Sequence, residues 1–313
     1  MAQQNKFPIL TLCIPIYNRL SFLERQLEGL LNDVDLFENK VQLIISDNCS
    51  EDDLKSCCDK YKHRGLRLEY HRQKVNNGPD GNFDWCFHHA DGKYVWLLGS
   101  DDIPIRGTVR KIVGYLDNSD YGLIHLSQRH MDKELTVYNG PDEIAVAVNF
   151  WITFVSASII RTESIKSIDL PKYFGSWIVQ VPAYLNACCL YPNNAIIYQE
   201  HFFEESNDAA NNGGYNLFQV FVTNLYGIYE EFIVSGMLSK QAFTKILKIE
   251  YKEFLVGYIV NLLFLRKKSN FKLEGSWAAM RKYYGNKPYA YYYLLKGLVR
   301  RCLAGIIKPT ISF

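Results

Sequence analysis

Three polar clusters are notable because each directly follows a short apolar run and carries side chains suited to binding or catalysis. The clusters are Tyr17-Asn18-Arg19, Asp47-Asn48 and Ser100-Asp101-Asp102. Neighbouring carboxylates such as Asp101 and Asp102 suit a hard divalent cation, which prefers oxygen ligands and bridges to substrate phosphates. A carboxylate such as Asp47 can accept hydrogen bonds from a base ring or a ribose hydroxyl. Tyr and Arg can stack on a base and pair with phosphate.

Each cluster also has a purely structural interpretation. Asp101-Asp102 can be a solvated turn that caps the next helix, and Asp47-Asn48 can form an Asx-type turn. The segment 15–19 can be an ordinary turn between a strand and a helix. The apolar run YVWLLGS before Asp101 favours a binding site, because such a strand should be buried with its end open to the crevice of a sheet.

The elements that must position these clusters alternate between strands and helices. Strands are predicted at 10–16, 41–46, 66–71 and 94–98. Helices are predicted from a capping box at Ser21–Glu24, from a cap within 50–53, and around the apolar positions of 83–90, after a turn at 76–79. This alternation predicts parallel pairing in a layered α/β sheet, whose ligands collect at the carboxyl ends of the strands. The three clusters should therefore converge at one edge.

The remainder of the chain changes character twice. Beyond residue 120 the pattern is less regular, with strands predicted at 121–126 and 154–160 and a flexible polar loop at 204–216. From Leu217 onwards, apolar residues recur at helical spacing. We therefore predict a first domain over 1–213, whose pattern divides at 115/116. A mostly helical region is predicted to follow over 214–313.

Composition excludes several classes of protein. The formal net charge of +2 shows no excess of basic residues of the kind that nucleic-acid binding requires. No Gly-x-Gly-x-x-Gly follows the first strand and no phosphate loop occurs, which argues against dehydrogenases, kinases and P-loop enzymes. The eight cysteines have no zinc-ligand spacing, and the start of the chain has no charged leader followed by an apolar stretch. The longest apolar stretch, 254–265, is too short to cross a bilayer. A cytoplasmic location is predicted.

Taken in order, these segments resemble the inverting family 2 glycosyltransferases, which have the GT-A fold. The segment LCIPIYNR (12–19) resembles the family's first strand and nucleotide loop. The segment LIISDNCSEDD (43–53) resembles its second strand with the base-binding Asp. The stretch NNGPDGNFDWCFHHADGKYVWLLGSDD (76–102) resembles the family's Asn-Gly turn, helix and metal-binding Asp motif. Segments 105–113 and 154–162 resemble its next helix and the strand that opens the acceptor half. The match covers about the first half of the chain.

The resemblance implies an α/β fold of the GT-A type, with a mixed sheet flanked by helices. It makes 1–213 the catalytic domain, with 1–115 as the nucleotide-sugar half and 116–213 as the acceptor half. It implies transfer of a sugar, with inversion, from a nucleotide-diphosphate donor, most simply a UDP-sugar, to a glycan or lipid-linked glycan. It places Mn²⁺ or Mg²⁺ on Asp101, with Asp102 as a supporting catalytic residue. The implied donor-binding residues are Pro15, Tyr17, Asn18, Arg19, Asp47, Asn48, Asn77, Gly78, Asn82, Ser100 and Asp101.

Two departures from the family pattern matter. Many relatives have an Asp where this chain has Gly99, and the stretch 174–185, where a catalytic carboxylate is expected, contains no acid. The proposed general bases are Glu200, Glu204, Glu205 and Asp208, near the polar loop, which we interpret as a lid over the bound donor. The departures favour a subgroup close to the O-antigen and capsule deoxysugar transferases. Two alternatives stay open, a sugar-phosphate nucleotidyltransferase and a carbohydrate-binding protein with a degenerate site.

The final segment, 266–313, is basic and aromatic. Its only acid is Glu274, and its last part, LLKGLVRRCLAGIIKPTISF, places apolar and basic residues at roughly helical spacing. This composition suits a segment lying on an anionic membrane surface, and it equally suits a packed helical hairpin with basic residues facing water. We predict peripheral contact with the inner face of the cell membrane.

Overall fold

The computed structural model describes residues 8–204 and 213–306. The chain divides into two compact units, Met1–Asp208 and Ala209–Phe313. The boundary drawn from the sequence, between residues 213 and 214, stays a prediction. Glu205, Asp208 and most of the predicted lid lie outside the described residues.

The first unit contains an eight-stranded mixed sheet with the strand order β3-β2-β1-β4-β7-β5-β8-β6. Strands β1, β2, β3 and β4 are mutually parallel, whereas β7 runs antiparallel to both β4 and β5. Strands β5 and β8 are parallel, so their carboxyl ends share the edge at which β1 to β4 end. The strands are β1 (Leu10–Ile16), β2 (Val41–Asp47), β3 (Glu69–Arg72), β4 (Tyr94–Leu97), β5 (Leu123–Ser127), β6 (Leu135–Asn139), β7 (Ser158–Arg161) and β8 (Asn193–Tyr198).

Helices cover this sheet because each presents an apolar face to it. In α1 the buried residues Leu23, Leu27 and Leu30 recur at helical spacing, and every residue of β1 is buried beneath the helices. The helices are α1 (Leu20–Leu30), α2 (Val34–Asn39), α3 (Leu54–His63), α4 (Gly78–His88), α5 (Thr108–Leu116), α6 (Pro141–Val148) and α7 (Gln180–Leu190).

Several local predictions were wrong. The capping box Ser21–Glu24 is absent, because α1 begins at Leu20 behind Arg19, whose side chain provides no cap hydrogen bond. The predicted turn at 76–79 is partly helical, since α4 begins at Gly78. Of the strand predicted at 154–160, only 158–160 lies in a strand, β7 (Ser158–Arg161), and Val155–Ala157 before it is a 3-10 turn.

The second unit is mostly helical, with a short parallel strand pair, β9 and β10. Strand β9 falls within the stretch 204–216 that was predicted to be a flexible loop, so that prediction was wrong for 213–216. The run from Lys240 to Phe264 is one continuous helix that includes two π-helical segments, Tyr251–Leu255 and Ile259–Phe264. Another π-helical segment, Gln219–Asn224, precedes α8. The elements are β9 (Gly213–Asn216), α8 (Leu225–Val234), α9 (Lys240–Glu250), α10 (Val256–Tyr258), β10 (Asn270–Lys272), α11 (Ser276–Tyr284) and α12 (Pro288–Ile306). Within the described residues, no helix has both the length and the apolarity needed to cross a membrane.

Candidate active site

The turn after β4 presents Asp101 to solvent. The amide of Asp102 donates to the Gly99 carbonyl at 3.0 Å and closes the turn. Buried Gln26 of α1 donates from Nε2 to the carbonyls of Gly99 (2.8 Å) and Asp102 (2.7 Å) and holds the turn in place. The Asp101 side chain is 53% exposed, so a carboxylate on a fixed backbone faces solvent at the carboxyl edge of the sheet.

Asp102 points inward and is held by the loop before β7. Ser156 Oγ donates to Asp102 Oδ2 at 2.5 Å and accepts from the Gly99 amide at 2.7 Å. Burial raises the pKa of Asp102 above its usual value; the neighbouring Asp101 adds to the rise, and the Ser156 hydrogen bond opposes it. Ser156 was missed in the sequence analysis. No local pattern marks a hydroxyl that acts across 54 residues.

Gly99 leaves space for the Asp102 carboxylate. A Cβ at position 99 would lie 2.8 Å from Asp102 Oδ2 and 3.2 Å from Ser156 Oγ. The first distance is closer than a Cβ contact can be without a shift of its neighbour. An Asp at position 99, as in many members of the resembled family, would therefore displace Asp102 from Ser156. The absence of that Asp is coupled to the inward orientation of Asp102.

Arg19 connects the end of β1 to the turn after β4. Its Nη1 lies 3.1 Å from Ser100 Oγ and 3.1 Å from Asp101 Oδ2. Asn18 and Arg19 both have left-handed backbones, with φ of 57° and 64°, a conformation that costs free energy in residues other than glycine. The strained turn directs the guanidinium at the carboxylate.

The loop after β1 is locked to the loop after β2. The Asn18 amide donates to Ser50 Oγ (2.7 Å), and Asn18 Oδ1 accepts from the Glu51 amide (2.9 Å). These bonds offset the strain at Asn18 and fix the first two clusters relative to each other. Tyr17 is 44% exposed beside them, whereas Pro15 is buried within β1.

Asp47 is fully buried at the end of β2 and already has donors on both oxygens. Oδ1 accepts from the Ser50 amide (2.8 Å), and Oδ2 accepts from the Tyr70 hydroxyl (2.6 Å) with Arg72 Nη1 at 3.4 Å. The predicted position of Asp47 at the end of the second strand is correct. Its contacts with Tyr70 and Arg72, which lie on the neighbouring strand β3, were not predicted. A base could reach Oδ2 only where one of these two donors gives way.

Asn48 joins the same edge to the start of α4. Its Nδ2 donates to Asn76 Oδ1 (2.9 Å) and to the Gly78 carbonyl (3.0 Å), and its Oδ1 accepts from the Asn77 amide (3.0 Å). Buried Asn82 bonds in turn to Ser46 at the end of β2, through Ser46 Oγ at 2.6 Å. Hydrogen bonds therefore connect the loop after β1, the loop after β2 and the start of α4, which contain most of the predicted donor-binding residues.

The two described candidates for the general base lie after β8. The Glu204 amide donates to the Ile103 carbonyl (2.8 Å), which places its backbone next to the turn that contains Asp102. Its carboxylate pairs with Arg25 of α1 at 2.9 Å. The Glu200 side chain is 89% exposed, with Oε1 3.9 Å from His201 Nε2. Both residues follow β8, which ends at the same edge of the sheet as β1, β2 and β4.

Asp80 of α4 is hydrogen-bonded to the start of the acid-free stretch 174–185. Asp80 is buried, and its Oδ2 accepts from the amides of Gly175 (2.8 Å) and Trp177 (3.2 Å). Burial raises the pKa of Asp80, and hydrogen bonds from these amides oppose the rise. Asp80 was missed in the sequence analysis, because its partners Gly175 and Trp177 lie 95 and 97 residues away.

The carboxylates present fit a divalent cation shared with a diphosphate. Among the described residues, no group of three or more His, Cys, Asp and Glu could enclose a metal by itself. Exposed Asp101 can offer its oxygens to a cation once Oδ2 leaves its ion pair with Arg19, whereas Asp102 has one oxygen committed to Ser156. Mg²⁺ commonly binds through one or two carboxylates together with substrate phosphates, which is the arrangement this edge permits.

Sequence comparison identifies related proteins. The model of the family described as Glycosyl transferase family 2 matches residues 11–174. Abequosyltransferase RfbV of Salmonella typhimurium is 29% identical over 192 residues, covering 54% of this chain and 57% of that protein. The poly(ribitol-phosphate) beta-N-acetylglucosaminyltransferase TarS of Staphylococcus aureus is 24% identical over 185 residues, covering 56% of this chain and 32% of TarS. The chain thus spans little more than half of the first relative and a third of the second.

Solved structures show the same fold. Residues 1–349 of S. aureus TarS align with a TM-score of 0.63 at 15% identity, covering 97% of this chain and 93% of that one. The same fragment in complex with UDP-GlcNAc aligns with a TM-score of 0.61, also at 15% identity, covering 95% of this chain and 91% of that one. A mannosyltransferase from Pyrobaculum calidifontis, solved with GDP-Man and Mn²⁺, aligns at 0.54 with 13% identity, covering 97% and 89%. These likenesses confirm the predicted GT-A arrangement, a mixed sheet flanked by helices, and the helical C-terminal region.

Proposed function

The chain belongs to glycosyl transferase family 2, and we propose that it transfers a sugar from a nucleotide-diphosphate donor to a hydroxyl of a glycan or lipid-linked glycan. The observation that carries this proposal is the convergence of Arg19, Asp101 and the Asp47-Asn48 loop at one edge of the sheet. These are the groups that a nucleotide diphosphate needs: a cation, a metal ligand and acceptors for a base or ribose. The proposed role is in the synthesis of a surface polysaccharide.

For the donor we propose a UDP-sugar. Tyr17 is exposed beside the β1 loop and can stack on the base, while Asn77 and Gly78 border the same edge through Asn48. In this structure Arg19 is paired with Asp101. When a diphosphate binds, the guanidinium can turn to its oxygens and release the Asp101 carboxylate for a cation.

The proposed reaction is direct displacement with inversion at the anomeric carbon. Asp101, supported by Asp102, would hold Mn²⁺ or Mg²⁺, which when bound neutralises charge on the departing diphosphate. Glu200 and Glu204 are our candidates for the base that removes the proton of the acceptor hydroxyl. Glu204 would have to leave Arg25 to do so, whereas exposed Glu200 is only 3.9 Å from a His.

Two alternatives have less support. A sugar-phosphate nucleotidyltransferase would need a glycine-rich basic loop after β1, and that loop is Tyr17-Asn18-Arg19-Leu20. A non-catalytic carbohydrate-binding protein would explain the acid-free stretch 174–185. It gives no reason for an exposed Asp101 that is paired with Arg19 on a turn held by Gln26. Binding of a nucleotide with Mn²⁺ separates transfer from the second alternative.

Asp47→Asn is expected to weaken binding of UDP in the presence of Mn²⁺ roughly ten- to hundredfold. A hydrogen bond to a charged acceptor contributes about 1.5–3 kcal/mol, and the substitution removes the charge. Isothermal calorimetry of UDP against wild type, Asp47→Asn and the control Tyr70→Phe measures the effect. The control loses the 2.6 Å bond from the Tyr70 hydroxyl but keeps the carboxylate. Unchanged affinity in Asp47→Asn would refute the assignment; an equal loss in both variants would make Asp47 a structural residue only.

We further propose that the protein works at the inner face of the cell membrane, with α12 on the lipid. Four apolar or aromatic side chains of α12 are exposed: Tyr291 (61%), Tyr292 (60%), Leu295 (64%) and Val299 (48%). Exposed basic residues, Lys296, Arg300 and Arg301, lie among them, and the sequence has no acid after Glu274. Such a face suits an anionic interface, with each basic residue contributing about 1 kcal/mol.

The double variant Leu295→Asp/Val299→Asp is expected to lower partition onto vesicles containing phosphatidylglycerol at least about tenfold. Each substitution removes an apolar contact with the lipid and adds a negative charge. Co-sedimentation at low salt provides the measurement. Val234→Asp is the matched control, because Val234 of α8 is 89% exposed but lies outside α12. Equal pelleting of the three proteins would contradict the proposal.

A further inference from the structure

The exposed aromatic side chains of the first unit are concentrated in two loops. Within its described part, five large aromatic residues are exposed: Tyr17 (44%), Trp151 (38%), Phe154 (50%), Phe174 (46%) and Trp177 (53%). Tyr17 belongs to the donor edge. The other four occupy residues 151–154, before β7, and residues 174–177, before α7. Large apolar groups collected in one place on a surface mark a binding site more often than chance exposure.

Hydrogen bonds hold these two loops together. Gln180 Nε2, at the start of α7, donates to the Thr153 carbonyl at 2.7 Å. The Tyr184 hydroxyl donates to the Val155 carbonyl at 2.9 Å. Residues 151–154 and 174–177 therefore both adjoin the buried helix α7, and we call their four exposed aromatic side chains the aromatic platform (Trp151, Phe154, Phe174 and Trp177).

The aromatic platform adjoins the reaction centre. Ser156, two residues after Phe154, makes the 2.5 Å bond to Asp102. In the sheet, β4 lies between β1 and β7, so the Asp101-Asp102 turn has the loop of β1 on one side and the loop before β7 on the other. The sequence of features along the edge is therefore nucleotide loops, carboxylate turn and aromatic platform. In a transfer reaction the acceptor must approach the donor sugar from beyond the diphosphate.

The second loop also contains strained backbone. Trp177 has a left-handed φ of 67°, which is costly for a bulky aromatic. Asn149, two residues before the first loop, also has a positive φ of 48°. Strain of this kind persists only where the surroundings enforce it. At Trp177 the buried Asp80 carboxylate accepts from the amides of Trp177 and Gly175. Asp80 is thus a positioning residue that keeps the indole of Trp177 in an exposed orientation.

We propose that the aromatic platform binds a pyranose ring of the acceptor glycan. This inference rests on the proposed transferase function and specifies the acceptor side of the same site. The C–H bonds on one face of a pyranose carry partial positive charge, and they are attracted to the negative face of an aromatic ring. Trp151 and Phe154 present neighbouring rings, with centroids 5.0 Å apart and planes inclined by 36°, an area suited to a sugar face.

Saturation-transfer difference NMR with simple methyl pyranosides tests the proposal without knowledge of the full acceptor. The probes are the methyl glycosides of glucose, galactose, mannose, rhamnose and N-acetylglucosamine, which carry no lipid, so ring-proton signals report the sugar alone. Trp177→Ala and Phe154→Ala should each reduce the transferred signal at least fivefold. Both side chains are half-exposed, so their removal opens no large cavity. Trp277→Ala is the matched control, because Trp277 in the second unit is also 53% exposed.

The outcomes separate this inference from the proposed function. Loss of signal in the two platform variants but not in Trp277→Ala, with UDP affinity retained, supports the platform. Equal signals in all variants, or no signal from any pyranoside with the wild type, overturn it. Sugar binding at the platform in a protein that binds no UDP with Mn²⁺ would instead refute the transferase and favour a carbohydrate-binding protein.

Discussion

Asp101→Ala is expected to reduce sugar transfer by about a thousandfold or more while the protein stays folded. The loss of a group that stabilises charge in the transition state typically costs about 10²–10³ in rate, and loss of the proposed metal ligand adds to this. The fold should tolerate the change, because the Asp101 side chain is 53% exposed and its ion pair with Arg19 is at the surface. Such pairs contribute at most about 1 kcal/mol.

Release of UDP from a UDP-sugar, followed with and without Mn²⁺, measures the effect of Asp101→Ala. Asp120→Ala is a suitable control, because Asp120 also has an exposed carboxylate paired with an arginine, Arg161, but precedes β5 at the opposite edge of the sheet. The control should retain its activity. Metal-dependent turnover close to wild type in Asp101→Ala would refute the assignment of Asp101 as a metal ligand. An equal loss in Asp101→Ala and Asp120→Ala would mean that the loss comes from a change of charge or folding.

The convergence of the polar clusters could be predicted because it depends on local patterns. Runs such as Leu10–Ile16 and Val41–Asp47 are mostly apolar, which favours strands buried on both faces. Alternation with helices then requires parallel pairing, so the residues after each strand meet at one edge. Arg19 and Asp101 lie 3.1 Å apart for this reason.

The acceptor side could not be predicted in the same way. Strand β7 enters the sheet antiparallel between β4 and β5, and no periodicity in its four residues specifies that position. Ser156 and Asp80 act through partners 54 or more residues away. The stretch 174–185 has no acid of its own, and the structure brings Asp80 to it from α4. Tertiary pairing, not local propensity, determines these contacts.

Helix starts were also misjudged where loops compete for the same backbone groups. Ser21 and Glu24 fit a capping box, but the Leu20 amide instead donates to Asp52 Oδ2 at 2.9 Å. The Asp52 carboxylate, in the loop after β2, therefore accepts from the first amide of the helix, and α1 begins one residue before Ser21. The bond that overrides the local signal is one of those that join the two donor loops.

The second unit contains a buried acid that should lower its stability at neutral pH. Glu250 of α9 is fully buried, and neither carboxyl oxygen has a hydrogen-bond partner of good geometry among the described residues. Burial raises the pKa of this carboxyl well above its usual range, which the nearby Tyr226 hydroxyl offsets only in part. Tyr226 and Tyr284, whose hydroxyls bond to each other at 2.5 Å, are its ionisable neighbours, and they provide no positive charge.

Glu250→Gln is therefore expected to stabilise the second unit, and the gain should grow with pH. The folded protein keeps the proton of Glu250 above the unfolded pKa of about 4.3, where the unfolded chain loses it. Since the folded state then binds more protons than the unfolded state, each further pH unit removes up to about 1.4 kcal/mol of stability until the folded pKa is reached. Glutamine has the shape of the neutral acid and no proton to lose, so it avoids this cost.

The sign of the effect makes the Glu250 experiment decisive. Thermal midpoints of wild type and Glu250→Gln should nearly coincide at pH 4.5 and separate by several degrees at pH 7.5, with the variant higher. Glu253→Gln changes an exposed carboxyl in the same helical run and should show no such divergence. A constant difference at all pH values would mean that Glu250 is ionised in the folded protein. A variant that becomes less stable as pH rises would mean that the carboxylate has a partner that glutamine cannot replace. Either outcome would show that the interior formed by α8, α9 and α11 accommodates a charge, although the neighbouring Tyr226 and Tyr284 provide no positive charge.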